Sequence, residues 1–386
     1  YRISLLRFIC LFLEYNPQLI CDMNVTSANR RENDKIRRLM DCTYETLLTN
    51  NIDSTFKCQA HLLLCYIISK YSIVKKIVVH VFNSLLKSYI IDAKYLVRQA
   101  TDLLIPSIPV RIDDGYEILA ICTKKILSDD AHGNIQLIHI MSIIVRHQTI
   151  YYHVRYSLAN LMIQSAQRIS GQQANSIEHK KLAIDIIEVL IKWELRKHFE
   201  QNHEQKTFQR NLIDTIFSFL IRHACQIHLP NMTTLSQQCI RLFKIARKYA
   251  WPQIDVKLVT FERLINQIES QNATAQNSIA IAIDLLAFLV STYTVIQIKY
   301  TMRTLKRPLV TCVSITSNSR LVEAMQNLFS KLIVQIPIEP PASILPTPAA
   351  GAATSTSSST TINPTSQLVA TLANANTLPA MINKSE

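Results

Sequence analysis

The chain has 386 residues, of which 48% are apolar, and a formal net charge of +13. It holds only 4 glycines, no two close enough to build a phosphate-cradling loop, which excludes a P-loop and a dinucleotide fingerprint. Its 9 cysteines are scattered without a C-x-x-C pair, the usage of a reducing compartment in which cysteine acts as a small buried hydrophobe.

In chain order, Ile3 to Leu13 predicts a buried helix ending near Pro17, and Cys21 to Arg31 is polar and turn-like. Asn33 is placed to cap a helix reaching about Leu48, with Ile36, Leu39, Met40, Tyr44, Leu47 and Leu48 on its inner face. Two strongly apolar helices follow, Phe56 to Tyr71 and Ile73 to Ile91. Ala93 to Leu104 predicts a helix that stops before Pro106 and Pro109. Asp113 to Leu127, Asn134 to His147 and Tyr151 to Ile169 come next, the last broken at Gly171.

The stretch Lys181 to Phe199 carries the widest apolar stripe. Leu182, Ile186, Val189 and Trp193 recur at helical spacing, and Ile187, Leu190, Ile191 and Leu195 broaden the face. Such a stripe suits a helix clamped on two sides. Asp185, Glu188 and Lys192 mark its wet side, and Trp193 is read as a core ring rather than a partner-docking ring. A polar stretch, Glu200 to Lys206, separates it from Phe208 to Ile227. Thr233 to Tyr249 and Ile254 to Ser270 form the next pair, with Trp251-Pro252 at their corner. Ser278 to Gln297, Met302 to Val313 and Arg320 to Ile336 complete the helical body.

Ordinary-length helices joined by short connections, in pairs of roughly 40 residues, have the rhythm of HEAT-like repeats. No stretch alternates long enough to predict a sheet. The expected fold is an all-α superhelical solenoid over residues 1–336. Residues 337–386 are Pro-, Ala-, Ser- and Thr-rich and are expected to be a disordered linker, with local order at most around Leu368 to Leu372. This tail adds only Glu339, Glu386 and Lys384, so the positive charge belongs to the body. The charge is spread rather than massed; it fits a solvated surface and permits acidic partners or nucleic acid.

The first residue is Tyr1 and a helical pattern is under way at Ile3, as in a piece of a longer polypeptide whose cut ends expose apolar faces. Arg2, Arg7 and Glu14 interrupt the first apolar run, which argues against a signal peptide. The sequons at Asn24, Asn231 and Asn272 matter only in a secreted chain.

Candidate sites are sparse. Cys58, His61 and Cys65 lie at i, i+3 and i+7, a possible metal face within a core-like run that offers no fourth ligand nearby. His223, Cys225 and His228 are spaced worse. RHQTIYYHVRY, Arg146 to Tyr156, mixes cations with aromatics; it reads as a helix corner whose tyrosines pack between repeats, or else as a nucleic-acid surface. Ile279 to Ile298 is apolar enough to raise a membrane span, but Asp284 inside it favours a buried solenoid helix. No triad ordering, nucleophile elbow or kinase motif appears, so no enzyme, cofactor, metal or small-molecule substrate is expected.

Several stretches carry a resemblance: KYLVRQATDLLIPSIPVRIDDG from Lys94, QLIHIMSIIVRHQTIYYHVRYSL from Gln136, and KKLAIDIIEVLIKWEL from Lys180. FSFLIRHACQI from Phe217, WPQIDVKL from Trp251 and LFSKLIVQIPIEP from Leu328 continue it in the same order. Together they resemble the transformation/transcription domain-associated protein (TRRAP) family and its fungal counterparts, over most of residues 90–340, more weakly before residue 90 and not after Pro341. Two departures are a short polar insert at Glu200 to Lys206 and His153 where a proline is expected. The resemblance implies a segment of HEAT-type helical repeats in a giant pseudokinase of the phosphatidylinositol-3-kinase-related group, upstream of its FAT and kinase-like parts. It further implies a nuclear, non-catalytic scaffold whose protein partners are transcription activators and subunits of histone acetyltransferase complexes of the SAGA and NuA4 kind. No catalytic residue carries over. The alternatives are a basic helical-repeat module that binds nucleic acid, an arch segment of an active kinase of the wider group, or an internal structural segment with no partner of its own.

Overall fold

The computed structural model describes residues 1–16, 30–48, 53–87, 93–128, 133–171, 176–199, 207–226, 232–270, 273–315 and 318–336. The expected tail, the polar stretches at 21–29 and 200–206, His228 and the three sequon asparagines lie outside them. Compactness divides the chain into Tyr1–Pro337, which holds every described residue, and Ile338–Glu386.

Among the described residues there is no strand, and the first unit is built of helices. They are α1 (Arg2–Tyr15), α2 (Arg30–Leu48), α3 (Ser54–Lys70), α4 (Lys75–Lys87), α5 (Lys94–Arg111), α6 (Gly115–Leu127), α7 (Asn134–Arg146) and α8 (Gln148–Tyr151). They continue as α9 (Arg155–Gly171), α10 (Ile177–Phe199), α11 (Arg210–Ala224), α12 (Thr233–Ile245), α13 (Val259–Ile265), α14 (Ala273–Val290), α15 (Val295–Ile315) and α16 (Ser319–Gln335). Short 3-10 turns at Tyr152–Val154 and Asn266–Ser270 and a π turn at Ala246–Ala250 extend their ends.

Each helix packs mainly on helices one to three places away in the chain: α3 on α5, α9 on α10, α11 on α12, α14 on α16. That near-neighbour order is the mark of a stacked helical repeat, in which successive pairs bury one continuous core. α10 shows why its stripe is wide. It lies against α7, α9 and α12, with Ile186, Ile187, Leu190 and Trp193 all buried. Trp193 is a core ring, as its spacing indicated. The wet side of α10 is less wet than expected: Gln238 of α12 donates its Nε2 hydrogens to Asp185 (3.2 Å) and Glu188 (2.9 Å), and Glu188 holds Lys192 at 3.0 Å.

Several boundaries differ from the sequence expectation. α5 does not stop before Pro106; it runs through Pro106 and Pro109 to Arg111. Each proline removes a backbone donor and costs about 3 kcal/mol in a helix interior. Against that, Leu104, Ile105 and Ile108 are fully buried, each contributing about 1.5–3 kcal/mol, and Arg111 ties the helix end to the carbonyl oxygens of Ser69 (2.7 Å) and Lys70 (3.2 Å). α15 runs from Val295 to Ile315, longer at its start than the expected Met302 to Val313, and passes through Pro308 as expected. The break expected after Gln297 instead falls at 291–294. There Thr294 and Gln297 form a reciprocal cap, Thr294 N–H to Gln297 Oε1 at 2.8 Å and Gln297 N–H to Thr294 Oγ1 at 3.4 Å. α2 starts at Arg30, so Asn33 lies inside the helix rather than at its cap. α13 starts at Val259 rather than Ile254. Finally, α1 is not buried all round. It packs chiefly on α3, burying Cys10 and Leu13 while Leu5, Phe8 and Leu11 stay exposed.

Gly115 is required by close approach. A Cβ there would sit 2.5 Å from the Ile108 carbonyl oxygen and 2.6 Å from Pro109 Cα. Its hydrogen side lets α6 start hard against the end of α5.

Candidate functional site

Most of the described residues singled out for metal or nucleic-acid chemistry pack within the fold. His61 is buried with both ring nitrogens engaged: Nδ1 donates to the Lys57 carbonyl (2.9 Å) and Nε2 accepts from the Ser84 hydroxyl (2.8 Å). Burial lowers its pKa to about 4 and raises those of Cys58 and Cys65, so the ring is neutral and the thiols protonated near pH 7. His223 donates Nδ1 to the Phe219 carbonyl (2.9 Å), stacks on the Phe219 ring with centroids 3.9 Å apart, and is also pushed by burial to about 4. Cys225 is buried, its thiol raised to about 12. Among the described residues no group of three or more His, Cys, Asp or Glu side chains is placed to hold a metal ion.

The aromatic–cationic segment is a corner between α7 and α9. Tyr151 is fully buried and shares a hydrogen bond with Thr123 (3.1 Å). The Arg155 guanidinium covers the rings of Tyr152 (3.9 Å) and Tyr156 (4.4 Å), and Arg196 of α10 covers Tyr152 from 4.3 Å. His153 packs on Tyr116 with centroids 4.4 Å apart. These rings are covered by the protein's own cations, as in a corner whose tyrosines pack between helices.

Asp284 forms an ion pair with Arg320 of α16, which accounts for a carboxylate within an otherwise apolar helix. No helix among the described residues is long and apolar enough to cross a membrane.

What remains is a surface feature that no single segment announces. α5, α7 and α10 leave a trough of about 600 Å³ between them. The half-buried Ile138, Val145 and Leu182 give it apolar patches over the buried Val97. Lys94, Arg98, Arg146 and Lys181 line it as cations, against one lining carboxylate, Asp185. Arg146 is held in place: Nη2 donates to Thr101 Oγ1 (3.0 Å) and Nε lies 3.5 Å from Asp102 Oδ1. Asp102 also meets His147 Nε2 at 2.9 Å and Arg98 Nε at 3.8 Å. Burial lowers the His147 pKa even beside that carboxylate, and lowers that of His139, whose Nε2 meets the Leu85 carbonyl at 3.3 Å. Lys94, Arg98 and Lys181 are exposed. Chemically, the trough offers charge and apolar contact; Ser142, also in its lining, donates its hydroxyl to the Ile138 carbonyl at 2.8 Å.

Comparison with known proteins finds relatives along most of the chain. The family model of the Tra1 HEAT repeat ring region matches residues 1–209 and 199–384. The likeness therefore reaches both ends of the chain, beyond the 90–340 span visible in the sequence. Transcription-associated protein 1 of Drosophila melanogaster is 32% identical over 395 residues, covering 87% of this chain and 10% of the fly protein. Transformation/transcription domain-associated protein of Danio rerio is 32% identical over 405 residues, covering 88% of this chain and 10% of the fish protein. The protein of Schizosaccharomyces pombe named SAGA complex/NuA4 acetyltransferase complex subunit Tra1 is 22% identical over 219 residues, 55% of this chain and 6% of the yeast protein. The chain thus spans about a tenth of the length of the fly and fish relatives. With its all-helical stack and a ring-region match along nearly its whole length, the chain belongs to the Tra1/TRRAP family.

Proposed function

We propose that this segment is a non-catalytic part of a nuclear transcription scaffold, which receives transcription activators and thereby brings histone acetyltransferase complexes to chromatin. The observation that carries the reading is membership in a family whose yeast member is named as a subunit of SAGA and NuA4 acetyltransferase complexes. Two features support it. A stacked helical body presents long faces to protein partners. Its charge of +13 suits acidic activation segments that order on binding.

The test is an exchange of this segment, within the full chain, for an unrelated helical repeat of the same length. Co-purification of acetyltransferase subunits and promoter histone acetylation are then read with and without an acidic activator. The expected result is loss of activator-dependent acetylation. Full activator response from the exchanged protein would overturn the proposal.

A further inference from the structure

We infer that the trough between α5, α7 and α10 is a docking site for a short amphipathic helix with an acidic edge. The inference rests on the activator-receiving role proposed above and assigns that role to a place. Charge complementarity selects the occupant. Four cations and one carboxylate line the trough; Asp102 beside Arg98 and Arg146 offsets part of their charge, and the remaining excess is positive, so an anionic segment is drawn to it and a cationic one repelled. The apolar patches select further. A purely acidic chain would leave the half-buried Ile138, Val145 and Leu182 in water, whereas a helix with apolar residues at i, i+3, i+4 and i+7 would cover them. Size fits too: about 600 Å³ lies within the range of small clefts and holds a few side chains, not a domain.

The cations differ in mobility. Arg146 is fixed by Thr101 and Asp102, and so presents its charge at little further entropy cost. Lys94, Arg98 and Lys181 form an exposed rim, which steers encounter and is screened by salt. Asp185 is half-buried and accepts from Gln238 of α12, and it is outnumbered in the lining by the four cations.

The experiment uses the purified full chain and a dye-labelled synthetic peptide, Leu and Phe at helical spacing with Asp and Glu elsewhere, followed by fluorescence anisotropy. Two variants address the trough: R98E with K181E, which reverses rim charge on exposed residues, and Ser142→Trp, which fills the space. Each is expected to weaken binding about tenfold, and the wild-type affinity to fall as salt rises. Binding unchanged by both variants overturns the site while leaving the activator-receiving role intact elsewhere on the chain. No binding to the wild-type chain overturns both. Equal binding of a peptide with Ser in place of Leu and Phe overturns the amphipathic requirement, and with it the inference.

Discussion

The indole Nε1 of Trp193 in α10 donates a hydrogen bond to the carbonyl oxygen of Gln148 in α8, at 2.8 Å. The bond joins the C-terminal half of the longest described helix to the first residue of the corner that turns α7 into α9. Its acceptor, at the start of a four-residue helix, is a backbone carbonyl that also accepts the amide of Tyr152. A ring buried for its apolar surface thus also fixes the entry of the corner.

Trp193→Phe keeps most of the apolar contact and deletes that bond. The expected cost is about 1–2 kcal/mol, from the lost hydrogen bond and the small space left behind. In a chain of many repeats a single unfolding free energy is poorly defined, so the proper reading is local. Amides of α8 and the first turn of α9 should exchange faster, while those of α14 to α16 stay unchanged. Uniform exchange rates across both regions would contradict this.

Gly115→Ala places a methyl group against backbone atoms of Ile108 and Pro109, which cannot rotate away. The substitution should cost about 1–3 kcal/mol, as overpacking typically does, by prising the start of α6 from the end of α5. Limited proteolysis should open near residues 112–116. An unaltered cleavage pattern would mean that the junction has slack.

Acid should loosen the core through His61 and His223. Both have folded pKa values of about 4 against an ordinary 6.5, because burial disfavours the charged ring. The unfolded chain therefore binds the extra protons first. The stability these neutral rings allow is complete above pH 6.5 and is lost progressively as pH falls from there to about 4, by about 3 kcal/mol for each ring. Hydrogen exchange in α3 and α11 measured between pH 7 and 5, corrected for intrinsic rates, should show protection falling. Protection that holds steady over that interval would sink the assignment.

Thr294→Ala removes half of the reciprocal cap with Gln297. The expected loss is about 1 kcal/mol, felt as fraying in the first turn of α15. Thr294→Ser should restore most of it, and that rescue separates capping from general packing. Equal fraying in both variants would argue against the cap.

The rhythm of apolar residues made most of the helices legible, because each face must meet a neighbour and the spacing of Leu182, Ile186, Val189 and Trp193 shows which face. The errors have physical causes. Pro106 and Pro109 read as stops, yet burial of Ile105 and Ile108 outweighs the local penalty at α5. Thr294 and Gln297 did carry a start signal, three residues apart, that lay hidden in a longer apolar run. The aromatic corner was legible as packing because tyrosines and arginines alternate closely enough to stack on each other. The trough was not. Lys94, Arg146 and Lys181 lie on three different helices, and no periodicity within one helix encodes the gap between it and the next.

The near-neighbour order of the packing also bears on how the chain comes to be folded. Because every helix finds its main partners within three places of itself, closing each contact needs only a short loop of polypeptide. Assembly can begin at any pair and spread toward both termini, so a ribosome releasing the chain from one end never has to wait for the other.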